Sequence, residues 1–335
     1  MLIDLQLSGD SPEEIIDLAR AAEAAGFARL WAPELTRSAT IPLALAAAVT
    51  DRIELATGIA LAFTRSPFTL ALEALDLDEV SDGRFVLGLG AGVRRLNERW
   101  HAASYDPPVL RMRELVAAVR ELVATMPIEG PSRSPGRFYD IDVVGYRRPH
   151  PAVRTAIPVT LAAVMPGMAR LAGEIADGFI DHPVTTPAWL NERLRPEIAK
   201  GAERAGRPMP EICGAVICAI SRTDPAAARR AAACTIGFYA SVRTYEELFS
   251  EEGFAARLPG IRRAFVSRDA DELAEAVGED MVECFAAAGS PDAVRERVHR
   301  EAASVDRIWA TPPHHLQDGD ASAGWQRAIL ATLGH

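Results

Sequence analysis

Positive charge, aromatic residues, cysteine and long apolar runs are all scarce in this chain of 335 residues. With 36 Lys and Arg against 46 Asp and Glu, the formal net charge is −10. That balance argues against a nucleic-acid binder and against attachment to an anionic membrane surface. The longest apolar stretch, residues 41–49, stops at Thr50 and Asp51 and falls well short of a membrane span. No basic segment precedes the first apolar run, so no secretory signal is expected. The four cysteines, Cys213, Cys218, Cys234 and Cys284, lack metal-site spacing and read as reduced, mostly buried thiols of a cytoplasmic protein. His182 and the pair His314 and His315 have no supporting acidic cluster, so no metal is expected. Neither a nucleophile elbow nor a phosphate-binding P-loop is present.

What the chain does have is 49% hydrophobic residues, enough for a large core, arranged as a repeat. Eight Val/Ile/Leu/Ala-rich runs occur at 2–7, 28–32, 53–62, 84–89, 158–163, 178–181, 212–220 and 306–310. Helical stretches alternate with them. Ser11-Pro12-Glu13-Glu14 opens the first as a capping box with Pro at the first helical position, and Gly26 stops it. Ser66-Pro67 and Ser290-Pro291 open others. Runs with few polar positions suit parallel strands covered on both faces. Eight of them in one chain predict a (β/α)8 TIM barrel, a single domain over residues 1–335. The rival, a dinucleotide-binding unit around Gly88, Gly90 and Gly92, places its glycines after the fourth run rather than the first and lacks the acidic residue further on. Two stretches break the cadence. Residues 127–157 form a loop insertion, with prolines at 127, 131, 135, 149 and 151. Residues 224–289 form a helical insertion, too long for one crossover.

In such a barrel the site lies at the C-terminal strand ends. That selects Gln6, Glu34, Thr57-Gly58-Ile59, Gly90, residues 164–168, His182, Ser221 and residues 311–314. Each has an ordinary reading as well. Gln6 could fill the barrel mouth, Glu34 could pair with Arg37, and Thr57 and Gly58 could form a strand-end bulge. Tyr239 and Ser241, near the end of a helix in the insertion, could reach over the mouth and line a substrate pocket, or Tyr239 could serve helix packing.

Taken together these segments resemble the bacterial luciferase-like monooxygenase superfamily. The resemblance rests on Gly26-Phe27, Leu30-Trp31 and Glu34; on Ala56-Thr57-Gly58-Ile59-Ala60 with Arg65-Ser66-Pro67; and on Ser81-Asp82-Gly83-Arg84-Phe85 with Leu87-Gly88-Leu89-Gly90. Ile157-Pro158-Val159 and residues 171–178 extend it over nearly the whole chain. Within the superfamily the chain is most similar to the branch using the deazaflavin coenzyme F420.

The resemblance implies an oxidoreductase moving a hydride between F420 and a small organic substrate. It implies a cis peptide at Gly58-Ile59 supporting the cofactor ring, together with Thr57 and Gly90. It also implies a phosphate cradle at Val164, Met165, Gly167 and Met168, where backbone N–H groups at a helix start attract an anion. Glu34, His182 and Gln6 are then the candidate catalytic groups, and Tyr239 and Ser241 the candidate substrate contacts. Two departures stand out. The loop after the second strand, Pro33 to Arg37, has no His, and Gly92 is followed by Val93-Arg94-Arg95 with no Glu. An FMN-dependent two-component monooxygenase with a separate reductase is the alternative on the same fold. A non-catalytic ligand-binding barrel is the alternative of another class. A homodimer is also implied, with Leu70, Ala71, Ala74, Leu75 and Leu77 of the helix from Pro67 as a possible apolar contact.

Overall fold

A computed structural model describes residues 1–128 and 130–334. Eight parallel strands form a closed ring: β1 (Leu2–Gln6), β2 (Arg29–Ala32), β3 (Glu54–Thr57), β4 (Phe85–Gly90), β5 (Val159–Ala162), β6 (Gly178–Ile180), β7 (Glu211–Ile220) and β8 (Arg307–Thr311). Each pairs with the next, and β8 returns to β1. The chain is a (β/α)8 barrel. Its strands read as unbroken apolar runs because one face meets the helices and the other fills the barrel.

The third run differs from its expected 53–62 span. It breaks after Thr57 and resumes as a two-residue segment, Ala60–Leu61, against the end of β4. The break is the Gly58–Ile59 peptide, which is cis.

The barrel centre is unusual in composition. Ala56, Val86, Ile180, Cys213 and Ala215 line it, and a stacked pair, Trp31 and Trp309, fills it with ring centroids 5.4 Å apart. Small residues on β3 and β7, Ala56, Cys213 and Ala215, leave volume for the two indoles. Below them, toward the N-terminal strand ends, lie Asp4, Arg29, Glu54, Glu211 and Arg307. Arg307 meets Asp4 at 3.1 Å, Glu54 at 3.2 Å and Glu211 at 3.4 Å. Arg29 meets Glu54 at 2.8 Å. Trp31 Nε1 donates to Asp4 at 2.9 Å, tying the indole layer to the charged layer.

Both insertions have internal structure. Within 127–157, Ser132–Ser134 and Ile141–Val143 form an antiparallel pair. The Phe138 and Tyr139 N–H groups donate to Glu114 on helix Pro108–Thr125. The second insertion carries helices Pro225–Ser241, Glu246–Glu251, Leu258–Ser267, Ala270–Val277 and Glu279–Phe285. It then ends in strand Ala286–Gly289, parallel to the upper part of β7. Ile217 pairs with Thr311 on one side and Ala286 on the other. The insertion therefore takes over the β6-facing edge of β7 at the mouth.

The apolar stripe of helix Pro67–Val80 serves the monomer. Leu70, Ala71, Ala74, Leu75 and Leu77 are all buried within one chain, so they offer no free dimer surface. Among the described residues no helix is long and apolar enough to cross a membrane.

Candidate active site

The C-terminal strand ends converge on a mouth whose floor is Ile59 and Trp309. Gly58 is there because nothing larger fits: an added Cβ would lie 2.9 Å from both Trp309 Cη2 and Trp31 Cβ. Its N–H donates to Ala32 O at 2.8 Å, holding the bulge to the end of β2. Thr57 faces β4, its hydroxyl donating to Gly88 O at 2.6 Å and accepting from Gly88 N at 2.9 Å. It acts as a clamp between strands. The Ile59 side chain lies over Gly90, where a Cβ would come within 2.7 Å of it.

Glu34 sits beside this bulge, but its carboxylate is engaged. It accepts from Leu61 N at 2.7 Å and from Arg65 through both carboxylate oxygens. Arg65 also reaches Glu73 at 3.3 Å. The expected partner Arg37 instead donates to the Asp10 carbonyl. A carboxylate bound on three sides braces the chain just after the cis peptide. Gln6 is half-buried at the end of β1, in register with Trp31.

At the strand-five end, helix Pro166–Ile175 begins without a side-chain cap. Ser11, Ser66, Asp224 and Ser290 cap other helices of the barrel. Pro166 has no N–H to offer, which leaves Gly167 and Met168 as first-turn donors without a side-chain acceptor. A Cβ on Gly167 would meet only Val109 Cγ2, at 3.8 Å, so the approach is open. The preceding turn is fixed by Trp189 Nε1, which donates to Val164 O at 3.0 Å, and Met165 occupies the cap position. This start can hold an anion on backbone N–H groups and the helix dipole.

His182 closes the opposite side. Burial, then the neighbouring His314, pushes its pKa down to about 3, and burial lowers His314 to about 4. Both imidazoles are neutral at neutral pH. Val184 N–H donates to His182 Nδ1 at 3.4 Å, which places the ring proton on Nε2. Tyr239 and Tyr245 pack on this ring at 4.5 and 4.4 Å between centroids. Ser241 lies apart from this contact, its hydroxyl donating to Phe238 O at 2.7 Å at the end of its helix. Ser221 Oγ accepts from Asp224 N at 3.0 Å and shapes the turn after β7. After β4, Arg94 is held by Asp106 and Glu98, so it adds no free cation.

Sequence reasoning missed Trp309, Arg65, Tyr105 and Tyr245. Arg65 stood in a recognised segment without a partner, and pairing it with Glu34 requires the tertiary fold. Trp309 read as one more apolar position of the eighth run.

A closed parallel barrel with a non-proline cis peptide at its third strand end and an open helix start after its fifth defines the class. The chain belongs to the luciferase-like monooxygenase family, whose model matches residues 3–307. It is 30% identical over 346 residues to a proposed coenzyme F420-dependent oxidoreductase of Mycobacterium tuberculosis, covering 96% of this chain and 98% of that one. It is 27% identical over 320 residues to the 5,10-methylenetetrahydromethanopterin reductase of Methanopyrus kandleri, covering 87% and 86%. The solved coenzyme F420-dependent tetrahydromethanopterin reductase of the same organism superposes with a TM-score of 0.81 at 23% identity, over 98% of this chain and 96% of that one. The FMN-bound oxygenating component of a Pseudomonas putida diketocamphane monooxygenase shares the fold at a TM-score of 0.68 and 16% identity.

Proposed function

We propose that this protein is an F420-dependent oxidoreductase acting on a small organic substrate. The observation that carries this reading is the pairing, at one barrel mouth, of an apolar floor at Ile59 with an uncapped helix start at Gly167 and Met168. Those elements fit a flat ring system and an anionic group. The choice of F420 over FMN is supported by the mycobacterial relative, which matches nearly the whole chain.

When bound, the deazaflavin supplies the hydride chemistry. The chain's part is placement. Gly167 and Met168 would hold the phosphate by their N–H groups, and Ile59, lying over Gly90, would support the ring. Thr57 and the Glu34–Arg65 pair keep that platform in place. His182 offers a neutral Nε2–H donor; with its pKa at about 3 it exchanges no proton near neutrality.

Titration of the full chain with F420 and with FMN tests the cofactor. Micromolar or tighter F420 binding with weaker FMN binding is expected. The reverse order, with oxygen consumed when reduced FMN is supplied, would establish the monooxygenase reading, and failure of both to bind would establish the non-catalytic one.

Glu34→Gln separates bracing from acid–base chemistry. As a positioning residue, Glu34 should on substitution lower F420 affinity by roughly three- to tenfold, equivalent to about 1 kcal/mol of charge-assisted hydrogen bonding. The pH profile of turnover should keep its shape. Loss of an ionisation from that profile would make Glu34 a proton carrier instead.

A further inference from the structure

The side of the mouth facing the bulge is built of rings. Phe63, in the turn that follows Ala60–Leu61, meets Tyr105 edge-on at 5.9 Å. A second set of rings gathers around His182. Tyr245 stacks at a tilt on His182, His182 meets Tyr239 edge-on, and Tyr239 meets His314 at 5.5 Å. This second arc of rings ends at His314, in the strand-eight loop. In a chain with 6% aromatic residues this is a concentrated use of them.

The rings lie between core and outer surface and are held in place from the insertion side. Tyr105, His182, Tyr239 and Tyr245 each keep part of their surface open. Burial nevertheless pushes the Tyr239 and Tyr245 hydroxyls up and the imidazoles down, which an outer-surface position would not do. The wall is also fixed to the barrel from the insertion side: His314 N donates to Thr235 at 3.1 Å, Thr186 hydrogen-bonds Glu252, and Arg193 pairs with Glu251 at 2.8 Å. None of the rings in the arc carries a charge at neutral pH. A phosphate or carboxylate placed there would be desolvated with no counter-charge from the rings. An uncharged ring gains from burial and from offset or edge contacts.

Resting on the proposed oxidoreductase reading, we infer that Tyr245, His182 and Tyr239 form the substrate wall. The substrate they take is an uncharged, ring-bearing molecule with a hydrogen-bond acceptor for His182 Nε2–H. The helical insertion is then a specificity element, since it supplies Tyr239 and Tyr245 while the barrel supplies His182.

The test uses the full chain and three probes in calorimetric titrations, with and without F420. 1-Acetonaphthone is neutral with an acceptor; 1-naphthoate has the same rings with a charge; glucose 6-phosphate is anionic without an aromatic ring. Acetonaphthone is expected to bind roughly tenfold or more tighter than either anion. Tyr245→Ala should weaken it by about tenfold, and Tyr245→Phe should leave it nearly unchanged. His182→Phe keeps a ring and removes the donor, and should weaken acetonaphthone several-fold while leaving naphthalene unchanged. Because Tyr245→Phe and His182→Phe retain packing, they decide the matter even where the alanine variant does not fold. Equal or tighter binding of either anion, or no effect of Tyr245→Ala or of His182→Phe, would overturn the inference. Selective acetonaphthone binding without F420 binding would instead leave the arc standing and remove the cofactor reading.

Discussion

Arg307→Ala is expected to destabilise the fold by about 3–5 kcal/mol, the range for removing one partner from a buried charge network. The guanidinium is 2% exposed and serves Asp4, Glu54 and Glu211 at once. Without it Arg29 alone would offset three carboxylates. Asp4→Asn is expected to cost little at neutral pH, because burial already raises the Asp4 pKa to about 6 against the pull of Arg307 and Arg29. The sign of the pH effect follows from that shift. Between about pH 4 and pH 6 the folded chain holds a proton on Asp4 that the unfolded chain has released, so this residue's contribution falls as pH rises and levels off above about 6. From pH 5 to pH 7.5 the asparagine variant should therefore gain stability relative to the parent, on the order of 1 kcal/mol. Urea unfolding of both proteins at the two pH values measures it. Parallel pH dependence would show that Asp4 is ionised throughout, with the network strong enough to overcome its burial.

Gly88→Ala should do comparable damage at the opposite end of the indole layer. A Cβ at this position would lie 1.9 Å from the Thr57 carbonyl oxygen, backbone against backbone, with no flexible side chain to yield. Overpacking of that kind costs roughly 3 kcal/mol or more, and relief requires β3 and β4 to separate. Separation would also break the Thr57 clamp on Gly88 and release the bulge at Gly58 and Ile59. The expected result is a lower denaturation midpoint together with loss of F420 binding, roughly tenfold or more in any protein that folds. Thr57→Val, which removes the clamp without the clash, should weaken the cofactor while lowering the midpoint less. A Gly88→Ala protein with parental midpoint and affinity would show that the two strands shift without consequence for the bulge.

The order of the eight strands was legible because each is buried on both sides. Double burial leaves a short apolar run that survives without any partner in view, and capping residues such as Ser11 and Ser66 mark where helices start. The Gly58–Ile59 bulge was legible for a different reason, as a recognisable local segment around a glycine that no larger residue can replace. Individual roles were less so. Glu34 lies after the second strand, and its carboxylate is held by Arg65 and Leu61, 27 or more positions away in the chain. The apolar positions of helix Pro67–Val80 suited a dimer face equally well until their burial inside the barrel layer was visible.

The sequence by itself determined the barrel, its family and the glycine bulge at the third strand end. The barrel follows from local pattern, apolar runs and helix caps; the family and the strand-end bulge follow from the resemblance of local segments to a known family. The tertiary structure alone decided which side chains meet. The stacking of Trp31 on Trp309, the charge layer beneath them, the neutral state of His182 and the ring cluster from Tyr245 to His314 depend on contacts between residues far apart in the chain. Burial and pairing, which set charge state and orientation, arise only when those distant segments close on one another.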